Sequence, residues 1–490
     1  MVEIPNYSLG QPPKRTGLGG FSMKATAIVG GGFMVFLILR LVGLSKIGLF
    51  VVLPVSVVAA AVVSMSWGGR TLAQHVQMRW QYHRKVKRGE HEYVSGGLSR
   101  MPGGQHRLPG LLARTEIIAA SDGAGRDFAI IVDRLRREAT VVFDCQLSGQ
   151  TAMMQEERNA MTASWGRWIA GLSLSGDVLA ASVSVGVRPG SGELVRREVD
   201  SIMDENAPWL ARRVMEDAAE LLSVGVPEID AHVAVTVKLD GEGLKEDAFV
   251  SNLATRVPTW AEDLSWAGIL ASPMDEQALV ARVHQGFNPA AETEFERLKV
   301  AGQSHGLSWD DAGPGWARDE KDRYAHEGVY SVTWEMAEAP RSTFEDHVLT
   351  SITAPHSRVL RKRVTLLYRP FHAGEGAKKV EAEHRDALTA LNSSKKIRSA
   401  AAGMRVEHTN AARIAQARGA QLGRYSLLVT ATVDEVAEIP RMVHDVEQLG
   451  SGSSLRLQVA TLQQDAAFIC GLGVGQLPWT RESVSGLARA

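Results

Sequence analysis

Cysteine is nearly absent: 490 residues hold only Cys145 and Cys470, far apart in the chain. That excludes a disulfide framework or a zinc cluster and suits a reducing compartment. No Gly-Lys dipeptide occurs anywhere. The Walker A loop needs Gly-Lys before Ser or Thr so that its lysine reaches the β/γ-phosphates, so a normal P-loop ATPase is excluded. HExxH, Cys-x-x-Cys and a helix-opening G-x-G-x-x-G are missing as well. Their absence argues against the commoner metalloprotease, redox and dinucleotide-binding classes.

The net charge of −1 hides an asymmetry. Residues 1–100 carry 12 Lys/Arg and 3 acids, and residues 356–424 carry 15 and 5, so the remainder is strongly acidic. A chain with that much acid is a poor general binder of DNA, whose affinity comes mostly from neutralised phosphates.

What is abundant is apolar sequence between Lys24 and Trp67. Ala25–Leu44 and Ile47–Trp67 are separated only by Ser45 and Lys46, and ~20 helical residues span ~30 Å of hydrocarbon. The expectation is a transmembrane helical hairpin over 24–69, after a Pro/Gly-rich tail at 1–23. Cationic flanks, with Lys14, Arg15 and Lys24 before it and Arg70 onward after it, place both ends and the large region that follows on the cytoplasmic side of the inner membrane. Arg40 is expected to snorkel toward the outer interface. On a basic stalk over 70–93, Arg79, Arg84, Lys85, Lys87 and Arg88 form a collar suited to anionic headgroups. The GGGF string at Gly30–Phe33 reads as a close helix-packing site.

Beyond the stalk, residues 94–150 read as a small β-rich domain with strands at Thr115–Ala120, Phe128–Ile131 and Ala139–Leu147, the last enriched in β-branched residues. Residues 151–300 read as an α+β domain. It begins with a helix over Ala152–Leu174, on which Trp165 and Trp168 share a face. A strand at Val178–Arg188, a helix over Leu194–Leu222 and a strand at Ile229–Leu239 follow. A helix over Glu242–Leu270 is expected to break at Pro258, and Glu276–Phe287 and Glu292–Ala301 are helical too. This order describes a ferredoxin-like sandwich. His232 reads as structural, since no second ligand sits at metal spacing.

Residues 301–479 form a second α+β unit with strands at Val329–Glu335, Arg363–Tyr368, Tyr425–Val433 and Leu455–Val459, helices at Pro440–Leu449 and Leu462–Cys470, and a tail at 480–490. A long helical hairpin, about 376–421, is inserted in it. Its basic surface reads as a solvated face, with Lys395, Lys396 and Arg398 near its break as candidates for an acidic partner or nucleic acid. Ser304–Glu320 (SHGLSWDDAGPGWARDE) is the most unusual stretch after the hairpin. Asp310 and Asp311 are adjacent, so they point different ways and make no acid/base pair by themselves. With Trp309 and Trp316 they are the candidates for a docking loop. The expected class is therefore α+β: a two-helix transmembrane hairpin followed by ferredoxin-like domains, with no catalytic, cofactor-binding or metal-ligating residue.

Six segments then carry a resemblance: YSLGQPPKRTGLGG (Tyr7–Gly20), GLSRMPGGQHRLPGLLA (Gly97–Ala113), TASWGRWIAGL (Thr162–Leu172), LSWDDAGPGWARDE (Leu307–Glu320), RVTLLYRPF (Arg363–Phe371) and YSLLVTATV (Tyr425–Val433). In this order the chain resembles actinobacterial membrane proteins encoded in integrative conjugative elements and related type IV secretion-like clusters. In that family the hairpin is similar to the small PrgI-type subunit. The remainder is similar to the N-terminal, non-motor region of conjugation ATPases of the TrbE/CagE kind. The resemblance implies a non-catalytic inner-membrane scaffold in an oligomeric assembly. Its partners would be the lipid bilayer, other channel subunits and a separate P-loop ATPase acting in trans. The competing readings are a scaffold subunit of a type VII secretion complex and a membrane-bound enzyme of envelope metabolism.

Overall fold

The computed structural model describes the chain except residues 1–22, 65, 68–69, 97–107, 148, 150–152, 205, 224–225, 242–244, 339–343, 394–399 and 479–490. It opens with helices α1 (Met23–Leu41), α2 (Ser45–Ile47) and α3 (Leu53–Ser64), a two-residue ribbon β1 (Ser66–Trp67) and β2 (Arg70–Thr71), helix α4 (Leu72–Lys87) and strand β3 (Glu92–Val94). Strands β4 (Glu116–Ser121), β5 (Asp127–Asp133) and β6 (Glu138–Leu147) form a meander, then come α5 (Gln155–Leu174), β7 (Val178–Pro189), α6 (Glu193–Ile202), α7 (Trp209–Ser223) and β8 (Pro227–Lys238). Helix α8 (Glu246–Ser265), β9 (Ile269–Pro273), α9 (Glu276–Phe287) and α10 (Glu292–Val300) follow. A second meander, β10 (Trp316–Asp319), β11 (Tyr324–His326) and β12 (Val329–Glu338), leads to α11 (Thr350–Thr353), β13 (Lys362–Pro370), α12 (Ala373–Ser393), α13 (Ala400–Ala417) and β14 (Gly423–Val433). Helix α14 (Ile439–Gly452), β15 (Arg456–Val459) and α15 (Gln464–Gly471) complete it.

The expected transmembrane hairpin is corrected by the structure: among the described residues no helix is long and apolar enough to cross a membrane. The reason is helix length. The second apolar stretch is divided into the three residues of α2, a π-helical turn over Gly48–Val52 and the 12 residues of α3. The regular α-helix in that stretch, entered directly from the π-helical turn, is the 12 residues of α3, ~18 Å at ~1.5 Å rise against ~30 Å of hydrocarbon. Helix α1 has 19 residues, but Lys24 and Arg40 stand at its two ends and shorten its apolar run. The multi-pass inner-membrane placement falls with the hairpin. What survives is the close packing: a Cβ on Gly32 would lie 2.4 Å from the Cβ of Ser56 in α3, and one on Gly48 would lie 2.8 Å from the Phe36 ring.

The expected α+β class stands, in the form of one large antiparallel sheet that contains 13 of the strands. That sheet is built twice. In the first unit, β6-α5-β7-(α6, α7)-β8-α8-β9, the strands lie in the order β9-β6-β8-β7. In the second, β12-α11-β13-(α12, α13)-β14-α14-β15, the order is β15-β12-β14-β13. Both are the split βαβ arrangement of a ferredoxin-like fold, with a helical pair inserted between the second and third strands. Registers match as well as order. Phe143 stands between Pro273 and Val233, and Trp334 stands between Val459 and Val429. The hydroxyls of Thr140 and Thr236 meet at 2.9 Å, as those of Ser331 and Thr432 do at 2.7 Å in the equivalent place. Strands β7 and β13 pair antiparallel, with Ser184 opposite Thr365 and their hydroxyls 2.8 Å apart. An approximate two-fold therefore runs through that pair, and the β-rich segment 94–150 and both α+β regions merge into one sheet.

Period-2 alternation sends the two faces of each strand to different cores. Val141 and Phe143 pack under α5 and α8, while Val142 faces α9 and the Trp309 region. Val332, Trp334 and Val429 pack under α14 in the second unit. Helix α8 passes through Pro258 without the expected break. Its stripe of Phe249, Leu253, Val257, Trp260 and Leu264 is buried on the sheet. Five large apolar side chains at ~1.5–3 kcal/mol each outweigh the ~3 kcal/mol of a helical proline. Likewise the helix expected over Leu194–Leu222 is two helices, α6 and α7, separated before Pro208.

After α15 the chain crosses the opposite face of the seam. The imidazole of His232 donates through Nε2 to the Leu472 carbonyl at 2.9 Å, Ser182 donates to the Gly473 carbonyl at 3.2 Å, and Thr365 donates to the Gly471 carbonyl at 2.7 Å. Gly473 has φ +70, and a Cβ there would lie 2.1 Å from the Ser184 Oγ. Only glycine lets the strap lie this close.

Candidate functional site

The loop at Ser304–Glu320 is held from within. Ser308 caps a short 3-10 turn, its backbone N–H and hydroxyl reaching the Asp311 carboxylate at 3.0 and 2.6 Å. His284 Nδ1 bonds the Asp311 carbonyl at 3.1 Å. Trp309 is only 5% exposed. Its indole N–H donates to Thr115 Oγ1 at 3.0 Å, and Thr115 donates onward to the Leu112 carbonyl at 2.7 Å. An indole placed this way stabilises the fold and offers nothing to a partner. Trp316 begins β10 opposite Val94, half-buried, with the Arg318 guanidinium 5.4 Å from its ring. Asp310 alone of the four is exposed. The four candidates therefore do not converge on one surface.

The collar residues are also divided. Lys85 is 21% exposed and lies under the sheet edge, its Nζ 2.5 Å from Asp319 and 2.7 Å from Asp465. Tyr82 donates to the Asp319 carbonyl at 3.3 Å. This ion triad ties α4 to the second meander and to the first turn of α15, so Lys85 is spent on the fold. Burial holds its ammonium charge at a cost, and the two carboxylates more than offset it, so its pKa is raised. Burial first, then Asp465, pushes the Asp319 carboxyl up to about 7 against the opposing pull of Lys85. Arg84 stacks on Trp80 at 4.5 Å and Arg88 pairs with Glu90 at 3.5 Å; Arg79 and Lys87 are exposed. Lys395, Lys396 and Arg398 lie outside the described residues.

His232 is wholly buried, and burial together with Arg282 lowers its pKa to about 3, so it is the neutral donor that its bond to Leu472 requires. Among the described residues no group of three or more His, Cys, Asp or Glu side chains is placed to hold a metal ion.

A surface the sequence reading missed is on α7. Trp209, Leu210, Val214 and Leu221 are 73, 58, 57 and 76% exposed. Leu210, Val214 and Leu221 share one face at helical spacing, with Asp217 between the last two, and Ile202 on α6 is 60% exposed too. The spacing was visible in the sequence, but it equally describes a face buried on the sheet. Only the place of α6 and α7, in the excursion between the second and third strands, leaves it open. The α12–α13 pair occupies the corresponding place in the second unit, with Met404 and Ile414 exposed.

Comparison of the chain with protein-family models and with curated proteins finds no match. Its fold and surfaces define a doubled ferredoxin-like α+β protein with two projecting helical pairs.

Proposed function

We propose that the chain is a non-catalytic scaffold subunit of a conjugative, type IV-like secretion apparatus, and that it docks a separate P-loop ATPase acting in trans. The observation that carries the reading is the uncovered apolar stripe of α7. Large exposed apolar patches on a folded protein mark association surfaces, and a helix with anchors at this spacing suits a groove on a partner. The lack of a Gly-Lys dipeptide supports assigning the motor to another chain. The sheet gives the docked motor a rigid backing, because both units share one hydrogen-bonded ladder from β4 to β3.

The test is affinity purification of the full-length tagged chain from its native cells, read by mass spectrometry. A P-loop ATPase is expected to copurify and to be lost in the double variant Leu210→Asp, Val214→Asp, whose folding is checked by circular dichroism. Clean recovery of the chain without any ATPase contradicts the reading.

A further inference from the structure

At one end of the β7–β13 seam lies a cavity of about 60 Å³. Its walls include Gly186 and Arg188 from β7, Arg361 and Arg363 at the start of β13, and Arg282 and Gly286 from α9. We propose that this cavity binds one phosphate-type oxyanion, with the Arg363 guanidinium as its principal ligand and Arg188 and Arg361 at its rim.

The lining also holds Lys362 and the carboxylates of Asp230 and Glu292. Of its cations, Arg363 and Lys362 are the two without a carboxylate partner among the described residues, the Lys362 Nζ being buried and unpaired as well. Arg188 pairs with Glu228 at 2.6 Å, Arg282 with Asp230, and Arg361 with Glu292. Asp144 lies farther out, 3.8 Å from Arg282. Among the described residues Arg363 pairs with no carboxylate, and its Nε is buried without a hydrogen-bond partner. A buried donor left unpaired costs ~1–3 kcal/mol, more when charged, and that cost is relieved if an anion occupies the space it faces. The guanidinium carbon lies 5.4 Å from the centre of the Phe468 ring. Gly286 keeps the opposite wall open: a Cβ there would meet the Leu472 side chain at 2.5 Å and an Arg363 Nη at 3.5 Å. Burial lowers the Arg363 pKa to about 10, with the Asp230 carboxylate offsetting only part of that effect. Size selects the ligand. At ~15 Å³ for each water-sized probe the cavity holds about four waters, which suits a single tetrahedral oxyanion and excludes a nucleotide. A planar fork of donors is the side chain best matched to phosphate.

Isothermal titration of the full chain with inorganic phosphate, in chloride buffer of matched ionic strength, tests this. One saturable site with Kd of about 1 mM or tighter is expected, weakened about 10- to 100-fold in Arg363→Met by loss of a charged hydrogen bond. Arg363→Lys, which keeps the charge and loses the fork, is the second variant and is expected to bind at least several-fold more weakly. No saturable binding to the unaltered chain, or binding unchanged in both variants, overturns the proposal. A phenyl phosphate arm separates the sources: competition places a phosphate monoester in the site, and saturable phosphate binding without competition places the free ion there.

Discussion

Replacing Lys85 with methionine removes the only cation bonded to Asp319 and Asp465 among the described residues. Methionine keeps the stem that packs along α4, so the change isolates charge from volume. Asp319 is 2% exposed, and breaking a mostly buried pair by deleting one partner costs about 3–5 kcal/mol. Because Lys85 retains 21% exposure, the lower end, about 3 kcal/mol, is expected at pH 8. The two stranded carboxylates can be relieved by one proton, which gives the effect a pH signature. The Asp319 carboxyl is raised to about 7 by burial and by Asp465 even with lysine present, and losing the lysine raises it further. A raised carboxyl contributes stability below its unfolded pKa of about 3.9 and loses it as pH rises through the folded value. The deficit of Lys85→Met should therefore be largest at pH 8 and fall by about half at pH 5. Urea unfolding followed by tryptophan fluorescence measures the deficit, and hydrogen exchange over 72–95 locates it at the α4 attachment. A deficit under ~0.5 kcal/mol, the size of an ordinary surface change, or one equal at both pH values, refutes the reasoning.

Gly473→Ala combines a left-handed backbone cost of ~1–2 kcal/mol with overpacking of ~1–3 kcal/mol against Ser184; a loss of ~2–5 kcal/mol in thermal or urea unfolding is expected. Trp309→Phe should cost ~1–3 kcal/mol through the lost indole hydrogen bond to Thr115 and the cavity left by the indole, while recovery of the ATPase in the affinity purification stays unchanged. Cys145 and Cys470 are both buried, and burial with Asp144 pushes the Cys145 thiol up to about 12. Neither should react with iodoacetamide in the native chain at pH 8, and both should react once urea unfolds it.

Long β-branched segments were the legible part of the fold. The strand read over Ala139–Leu147 is observed as Glu138–Leu147, and the helix read over Glu276–Phe287 has those bounds. The three- and four-residue strands β3, β10 and β11 were not legible, because a run that short shows no period, and they lack the alternating Leu455, Leu457 and Val459 that marked the equally short β15. Strand β9 was absorbed into the preceding helix for a similar reason. The doubling was hidden because equivalent positions carry different side chains, Phe143 against Trp334 and His232 against Leu428; register, not identity, relates them. Hydropathy marked the N-terminal hairpin as apolar but could not say where its helices would be interrupted. At the candidate site the sequence picked out the Trp309 loop by composition, yet composition does not separate a buried indole from an exposed one. Lys85 finds its carboxylates more than 200 residues away, and no local pattern announces such a pairing.

The central claim is that α7 receives the motor. A photo-crosslinking amino acid placed at Leu210 of the full-length chain, activated in native cells and read by mass spectrometry, tests it most directly. The account predicts an adduct with a P-loop ATPase that disappears when the crosslinker is moved to the exposed Arg212, ~200° round the same helix. Adducts confined to other copies of this chain, or none at all, would contradict it.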